Sequence, residues 1–89
     1  METRELREQL SELHRELEAA TSKSPEGSEV LSDMMTDIVR IASGEEIHPE
    51  EGENLRERIE HQASDFEARH PRASGILREI TDILARLGI

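Results

Sequence analysis

Two Glu-x-x-His pairs have a spacing that could do metal chemistry. Glu45 precedes His48 and Glu67 precedes His70, so on a helix each pair would place a carboxylate and an imidazole on one face. Bundles that hold two metal ions combine such pairs with glutamates that project from the apolar faces of two further helices. Here the apolar faces contain no glutamate, and both histidines directly precede a proline. We therefore expect no bound metal and assign both histidines to helix ends and turns.

The other two histidines offer weaker signals. Glu57, His61 and Asp65 follow one another at one-turn spacing and could clamp a cation on a helix surface. A solvated helix face with weak ion pairs shows the same spacing, and we favour that interpretation. His14 flanks the apolar side of the first helix, where it could act as a pH-sensitive interface residue.

Catalytic patterns are missing from the sequence. The chain has no cysteine, no glycine-rich phosphate loop and no serine in a nucleophile elbow. Its many acids include no pair set apart in an apolar stretch, where their pKa values could separate. We expect no enzyme, no catalytic residue and no cofactor.

Composition narrows the range of partners. The formal net charge of -10 on 89 residues argues against binding nucleic acid or anionic membranes, and it suits a basic protein partner. The stretch METRELREQL is charged from its second residue, and no apolar run approaches the roughly 20 residues of a membrane span. A cytoplasmic protein is therefore the expectation.

Apolar periodicity predicts a single domain, 1–89, of the all-α class: a small bundle of four amphipathic helices. The helices are expected at about 3–20, 25–43, 49–69 and 71–87. Proline opens the last three, and Gly44 and Gly88 follow the second and fourth as stop signals. Apolar residues cover much of the second helix, which should contact two neighbours.

The last helix, together with Phe66 near the end of the third, carries the largest group of bulky apolar residues, which we call the core stripe. The core stripe consists of Phe66, Ile76, Leu77, Ile80, Ile83, Leu84 and Leu87. Burying six such side chains contributes roughly 9–18 kcal/mol before conformational entropy is subtracted. With one Phe and no Trp or Tyr, the chain still has little core, so self-association would bury useful extra surface.

The first helix has a short coiled-coil-like heptad seam. The seam consists of Leu6, Leu10, Leu13 and Leu17. Spacings that alternate between three and four residues suit pairing with a second chain, and they also suit a helix packed within a bundle. Both alternatives stay open. We predict self-association, with a homodimer favoured, and the seam is the candidate surface for it.

Several of these residues also carry a family resemblance. The patterns Leu10-x-x-Leu13-His14-x-Glu16-Leu17, Phe66-Glu67-x-x-His70-Pro71 and Leu87-Gly88-Ile89 resemble the small bacterial proteins grouped as domain of unknown function 4404. The resemblance spans the chain and is loosest between residues 21 and 52. It implies an all-helical, cytoplasmic bacterial protein, and it supplies no catalytic residues.

These observations predict a non-enzymatic module for interaction or structure that associates with itself. The alternative is an acidic inhibitor or nucleic-acid mimic that sequesters a basic partner. The interaction module would hold its partner through apolar contacts, which survive high salt. The inhibitor or mimic would hold a basic partner through charge pairing, which high salt weakens.

Overall fold

The computed structural model describes residues 2–89, and this part of the chain folds into four α-helices and no strands. The helices are α1 (Glu2–Thr21), α2 (Pro25–Ala42), α3 (Pro49–Phe66) and α4 (Pro71–Arg86). The predicted all-α bundle of four helices is therefore confirmed. None of the four helices is both long enough and apolar enough to cross a membrane.

Three of the helices begin at a proline, as their sequences predict. The ring of proline fixes the backbone angle φ near the helical value, and the missing N–H would have no partner in the first turn. Ser24 also caps α2, where its hydroxyl oxygen accepts a hydrogen bond of 3.2 Å from the N–H of Gly27. Helix breaks lie at His48-Pro49 and at His70-Pro71, which confirms both predicted interruptions.

Two helices end in the same glycine-dependent turn. Gly44 and Gly88 have φ values of 91° and 82°, a region that residues with a side chain rarely adopt. This conformation lets the N–H of Glu45 reach the carbonyl of Arg40 at 3.0 Å, and Ile89 reaches back in the same way after α4. The turn supplies donors to carbonyls that the helix end leaves unpaired.

The predicted end of α3 is wrong by three residues, since the helix stops at Phe66 and not at residue 69. Proline at position 71 disfavours helical geometry for His70, whose φ and ψ are -135° and 66°. Residues 67–69 form a turn, closed by a 2.7 Å hydrogen bond from the His70 N–H to the Phe66 carbonyl. The helix therefore ends one turn before the proline, and residues 67–70 connect the two helices.

The helices form a ring in the order α2, α1, α4, α3, with one weak side. α1 packs against α2 and α4, and α3 packs most extensively against α4. α2 and α3 complete the ring with only slight contact between them. α2 therefore has two neighbours, as predicted, and its contact with α3 is the weaker one.

One hydrophobic core joins all four helices. Six members of the core stripe are buried, and the seventh, Leu87, is half-buried and packs against the same core. Leu31, Met34 and Ile38 of α2 and Leu55 and Ile59 of α3 meet the core stripe from other sides. The core stripe accordingly holds the bundle together.

The α1 seam, the candidate surface for self-association, packs inside its own chain in this structure, as in the bundle alternative. Leu10 and Leu17 have no exposed surface, Leu13 is 6% exposed, and Leu6 is half-buried against the same core. These side chains face α2 and α4 of their own chain, so in this fold they offer little surface to a partner. Their three-and-four spacing serves a bundle helix here. The homodimer itself stays a prediction, and it requires another surface.

Candidate interaction site

Three of the four residues of the two Glu-x-x-His pairs make other contacts, Glu45 with Arg40 among them. The Glu67 carboxylate lies 3.8 Å from the Arg78 guanidinium, and both side chains are exposed. The ring of His70 meets Phe66 edge-on, with 4.9 Å between the ring centroids. His48 is exposed and precedes α3, where its side chain makes no capping hydrogen bond.

His61 lies on the open surface of α3. Its Nδ1 is 3.4 Å from the Asp65 carboxylate, and its side chain is 80% exposed. Among the residues that the structure describes, no three or more histidine, aspartate and glutamate side chains converge to hold a metal ion. The described residues therefore place no third metal-binding side chain beside any of these candidate groups.

α2 exposes an apolar residue on each of its two sides. Val30 is 44% exposed and Val39 is 45% exposed, the two exposed large apolar residues in the described part of the chain. Nine positions amount to two and a half turns at 3.6 residues per turn, so these valines lie on opposite sides of the helix. Each has a methionine near it in a groove beside the neighbouring helix.

The first groove, between α1 and α2, has a volume of about 450 Å³. α1 contributes His14 and Glu18, whose side chains lie 3.5 Å apart. The remaining lining residues, all from α2, are Ser28, Ser32, Met35, Thr36, Val39 and Arg40. Most of these side chains are short or uncharged, so another helix could approach the surface closely.

The second groove lies where α2 and α3 barely meet, and its volume is about 620 Å³. Buried Met34 and half-exposed Val30 form its α2 side. The α3 side consists of Asn54, Glu57, Arg58, His61 and Gln62. Long polar side chains therefore face an apolar wall, and they offer both charges and hydrogen bonds to a bound group.

α4 determines the position of α3 and hence the width of the second groove. The buried hydroxyl of Ser74 donates a 2.6 Å hydrogen bond to the Ala63 carbonyl, near the end of α3. At the other end, the side chain of Ile89 lies against the backbone of Gly52, where a Cβ atom would not fit. α3 is thus fixed at one end by α4 and at the other by Ile89, three residues after α4 ends, and α2 holds it only weakly.

Ion pairs connect α2 to its surroundings at the end of both grooves. Asp37 is 3.3 Å from Arg40 on its own helix and 3.9 Å from Arg58 on α3. Glu45, at 3.2 Å, also contacts Arg40. The hydrogen bond and charge of Glu45, and then Asp37, raise the pKa of Arg40 above its ordinary value. Arg40 therefore stays charged throughout the range in which the protein can be studied.

A smaller pocket of about 270 Å³ lies at the end of the bundle where α2 stops. Arg7 extends over Gly44 there, 3.2 Å from the position that a Cβ atom on this glycine would occupy. A positive charge next to the C-terminus of a helix complements the helix dipole. This stabilising contact between α1 and α2 accounts for the arginine.

Sequence reasoning missed the two grooves. The sequence indicates them only through the apolar residues spread around α2. That pattern predicts two neighbouring helices, but it does not show which apolar side chains remain exposed to solvent. Exposure at Val30 depends on the separation of α2 from α3, and no residue of α2 encodes that separation.

Comparison with known proteins agrees with the resemblance noted above. No curated protein and no solved structure matches the chain. A sequence profile for the domain of unknown function DUF4404 matches residues 6–89, which is nearly the whole chain. The chain therefore belongs to the DUF4404 family of domains of unknown function.

Proposed function

We propose that this protein is a non-enzymatic interaction module that associates with itself through the groove between α1 and α2. The observation that carries the proposal is the half-exposed Val39, which lies with Met35 among short hydroxyl side chains. Because Val39 is 45% exposed, covering the rest of it contributes just under half of the value for a whole valine, or about 0.7–1.4 kcal/mol. A symmetric pair of chains would cover two of them.

Charge favours this groove for a second copy. Two chains of net charge -10 repel each other, so a shared surface should contain few carboxylates. Glu18 and Arg40 are the two charged residues of the lining, and they have opposite signs. A two-fold axis across the middle of α2 would bring Glu18 of one copy towards Arg40 of the other. The groove is therefore self-complementary.

Sedimentation equilibrium over a concentration series tests this proposal. We expect a mass near twice the 10.1 kDa of one chain at high micromolar concentration. Val39→Glu should return the mass to one chain, and Val30→Glu, an identical change on the opposite side of α2, should leave the dimer intact. A wild-type protein that remains at one chain mass would disprove self-association. Equal effects of the two substitutions would place the interface elsewhere.

A second candidate function is binding of a basic protein partner. α3 carries six carboxylates and two arginines, and α4 carries two carboxylates and three arginines. α1 and α2 are acidic as well, with six carboxylates against three arginines and four against one. Three helices therefore carry the negative charge, and two of them border the second groove. Such a surface attracts a basic partner and accelerates its association. Retention of a basic protein at low salt, with release as the salt concentration rises, would support this function.

A further inference from the structure

We propose that the groove between α2 and α3 docks a basic amphipathic helix of a partner protein. This inference rests on the second candidate function and assigns that function a site and a partner of defined chemistry. The occupant would insert a bulky aliphatic side chain between Val30 and Met34, and it would direct lysine or arginine towards the surrounding carboxylates.

The length of the groove fits a short helix. Two ion pairs cross from α2 to α3 and the turn after it: Glu26 to Arg69 and Asp37 to Arg58, each at 3.9 Å. Glu26 and Asp37 are eleven positions apart on α2, a span of about 16 Å at 1.5 Å per residue. This distance corresponds to about three turns of a bound helix. Helices with apolar anchors at one-turn spacing recognise grooves of this kind in many complexes.

The carboxylates around the groove select a basic occupant. Glu57 has no cationic group within ion-pairing distance among the described residues, although it lines the groove. Within the lining, Glu57 and the one arginine, Arg58, have opposite charges. The carboxylates of Asp37 and Asp65, which contact the lining residues Arg58 and His61 from outside it, make the edge of the groove negative. The pairs made by Arg58 and Arg69 are long and exposed, so each contributes little stability. Lysine or arginine from a partner could replace them at small cost.

The apolar side of the groove supplies the anchor point. Val30 leaves nearly half of its surface uncovered, and the adjacent Met34 is almost fully buried. Methionine is flexible and polarizable, so it adapts to aliphatic side chains of different shapes. One apolar anchor surrounded by charge pairs resembles the arrangement at many interfaces, where a central apolar residue dominates the binding energy.

A second copy of the chain does not meet these requirements. Within the described residues, α4 is the one helix in which basic residues outnumber acidic ones, and its apolar side faces its own core. The exposed surfaces of α1, α2 and α3 are acidic and would repel the carboxylates of the groove. The occupant is therefore another protein.

Fluorescence anisotropy with synthetic peptides tests the proposal. The probe is a labelled helical peptide of about 14 residues, long enough for three turns and the flanking charges, with leucines at i and i+4 and lysines or arginines elsewhere. A permuted peptide of the same composition, with its leucines spread around the helix, serves as the peptide control. We expect the amphipathic peptide to bind at least about tenfold more tightly, a difference of about 1.4 kcal/mol.

Matched variants of the protein locate the site. Val30→Glu and Glu57→Lys should each weaken binding of the amphipathic peptide about tenfold, a loss of about 1.4 kcal/mol. Val39→Glu places the same charge on the other side of α2. Glu60→Lys makes the same change on the side of α3 that faces Ser64 and Arg78. Both controls should change the dissociation constant by less than about threefold, and circular dichroism will show whether each variant is folded.

The negative outcomes distinguish failure of the proposed groove from failure of the second candidate function. If both peptides bind equally, or if the controls weaken binding as much as Val30→Glu and Glu57→Lys do, charge alone attracts the peptide. That result overturns the groove and leaves the second candidate function standing. If neither peptide binds at low salt, the basic partner and the groove both fail. Val30→Glu and Glu57→Lys act through apolar contact and charge respectively, so misfolding of one variant leaves the other decisive.

Discussion

The two sides of α2 have the same degree of exposure and different surroundings. Val30 and Val39 are the same residue type on one helix, 44% and 45% exposed. Val39 lies among short hydroxyl side chains of α2 itself, beside His14 and Glu18 of α1. Val30 instead faces five longer polar side chains of α3. Exposure alone therefore does not determine what a surface binds, because the neighbouring helix decides which partner chemistry fits.

The two sides should also respond to salt in opposite directions. Salt screens the repulsion between two chains of net charge -10, so a dimer on the α1 side should tighten as salt is raised. Salt also screens the attraction between a basic helix and the α3 side, so that complex should weaken. One titration of each complex thus distinguishes the surfaces without any substitution.

The largest effect on stability is expected from a substitution in the buried seam of α1. Leu10→Glu places a charge where the side chain has no exposed surface, and it should lower the free energy of unfolding by about 3–5 kcal/mol. Ala19→Glu, on the exposed face of α1, should change it by less than about 0.5 kcal/mol. Urea denaturation measures both. Loss of dimer mass with full stability in Leu10→Glu would instead place the seam between chains.

The next largest effect is expected from a substitution that displaces α3, which borders the second groove and not the first. Gly52→Ala adds a methyl group where Ile89 already touches the backbone, and it should cost about 1–3 kcal/mol of unfolding free energy. Gly75→Ala is the matched control, because nothing lies within 4 Å of its new Cβ atom and alanine favours helix. Thermal denaturation should show a lower melting temperature for Gly52→Ala and an equal or higher one for Gly75→Ala. A stabilised Gly52→Ala would mean that Ile89 moves aside freely.

Helix ends could be predicted from the sequence, because proline and glycine act on their immediate neighbours. The sequence could not show whether the seam packs within its own chain or against a second chain, because the spacing of three and four residues is the same in both cases. Ser74 shows a further limit: nothing in a helical serine indicates which carbonyl, eleven residues away, its hydroxyl meets. The grooves depend on such distant contacts, and so periodicity found the core stripe and missed both candidate sites.

A smaller effect is expected when the link between α3 and α4 is weakened. Ser74→Ala removes a buried hydrogen bond to the Ala63 carbonyl and should cost about 1 kcal/mol. Because α4 holds α3, amide hydrogen exchange should accelerate in α3 and leave the α1 side of α2 unchanged. Thr81→Ala is the control, since its hydroxyl bonds within α4 to the Leu77 carbonyl. Equal acceleration in α1 and α3 would show that the bundle opens as one unit.

The smallest effect concerns the ion pair that joins α2 to α3. Asp37→Asn weakens the contacts with Arg40 and Arg58, whose side chains are 39% and 50% exposed, so solvent screening limits the loss to no more than about 1 kcal/mol. Asp82→Asn removes the same charge from a carboxylate that pairs with Arg86 on its own helix. At low salt, Asp37→Asn should destabilise the protein more than Asp82→Asn, and the difference should disappear near 0.5 M salt, where the screening length is only about 4 Å. Equal losses at low salt would show that the 3.9 Å contact does not hold the two helices together. In that case a partner can occupy the α3 side of α2 without an energetic cost for displacing the contact between Asp37 and Arg58.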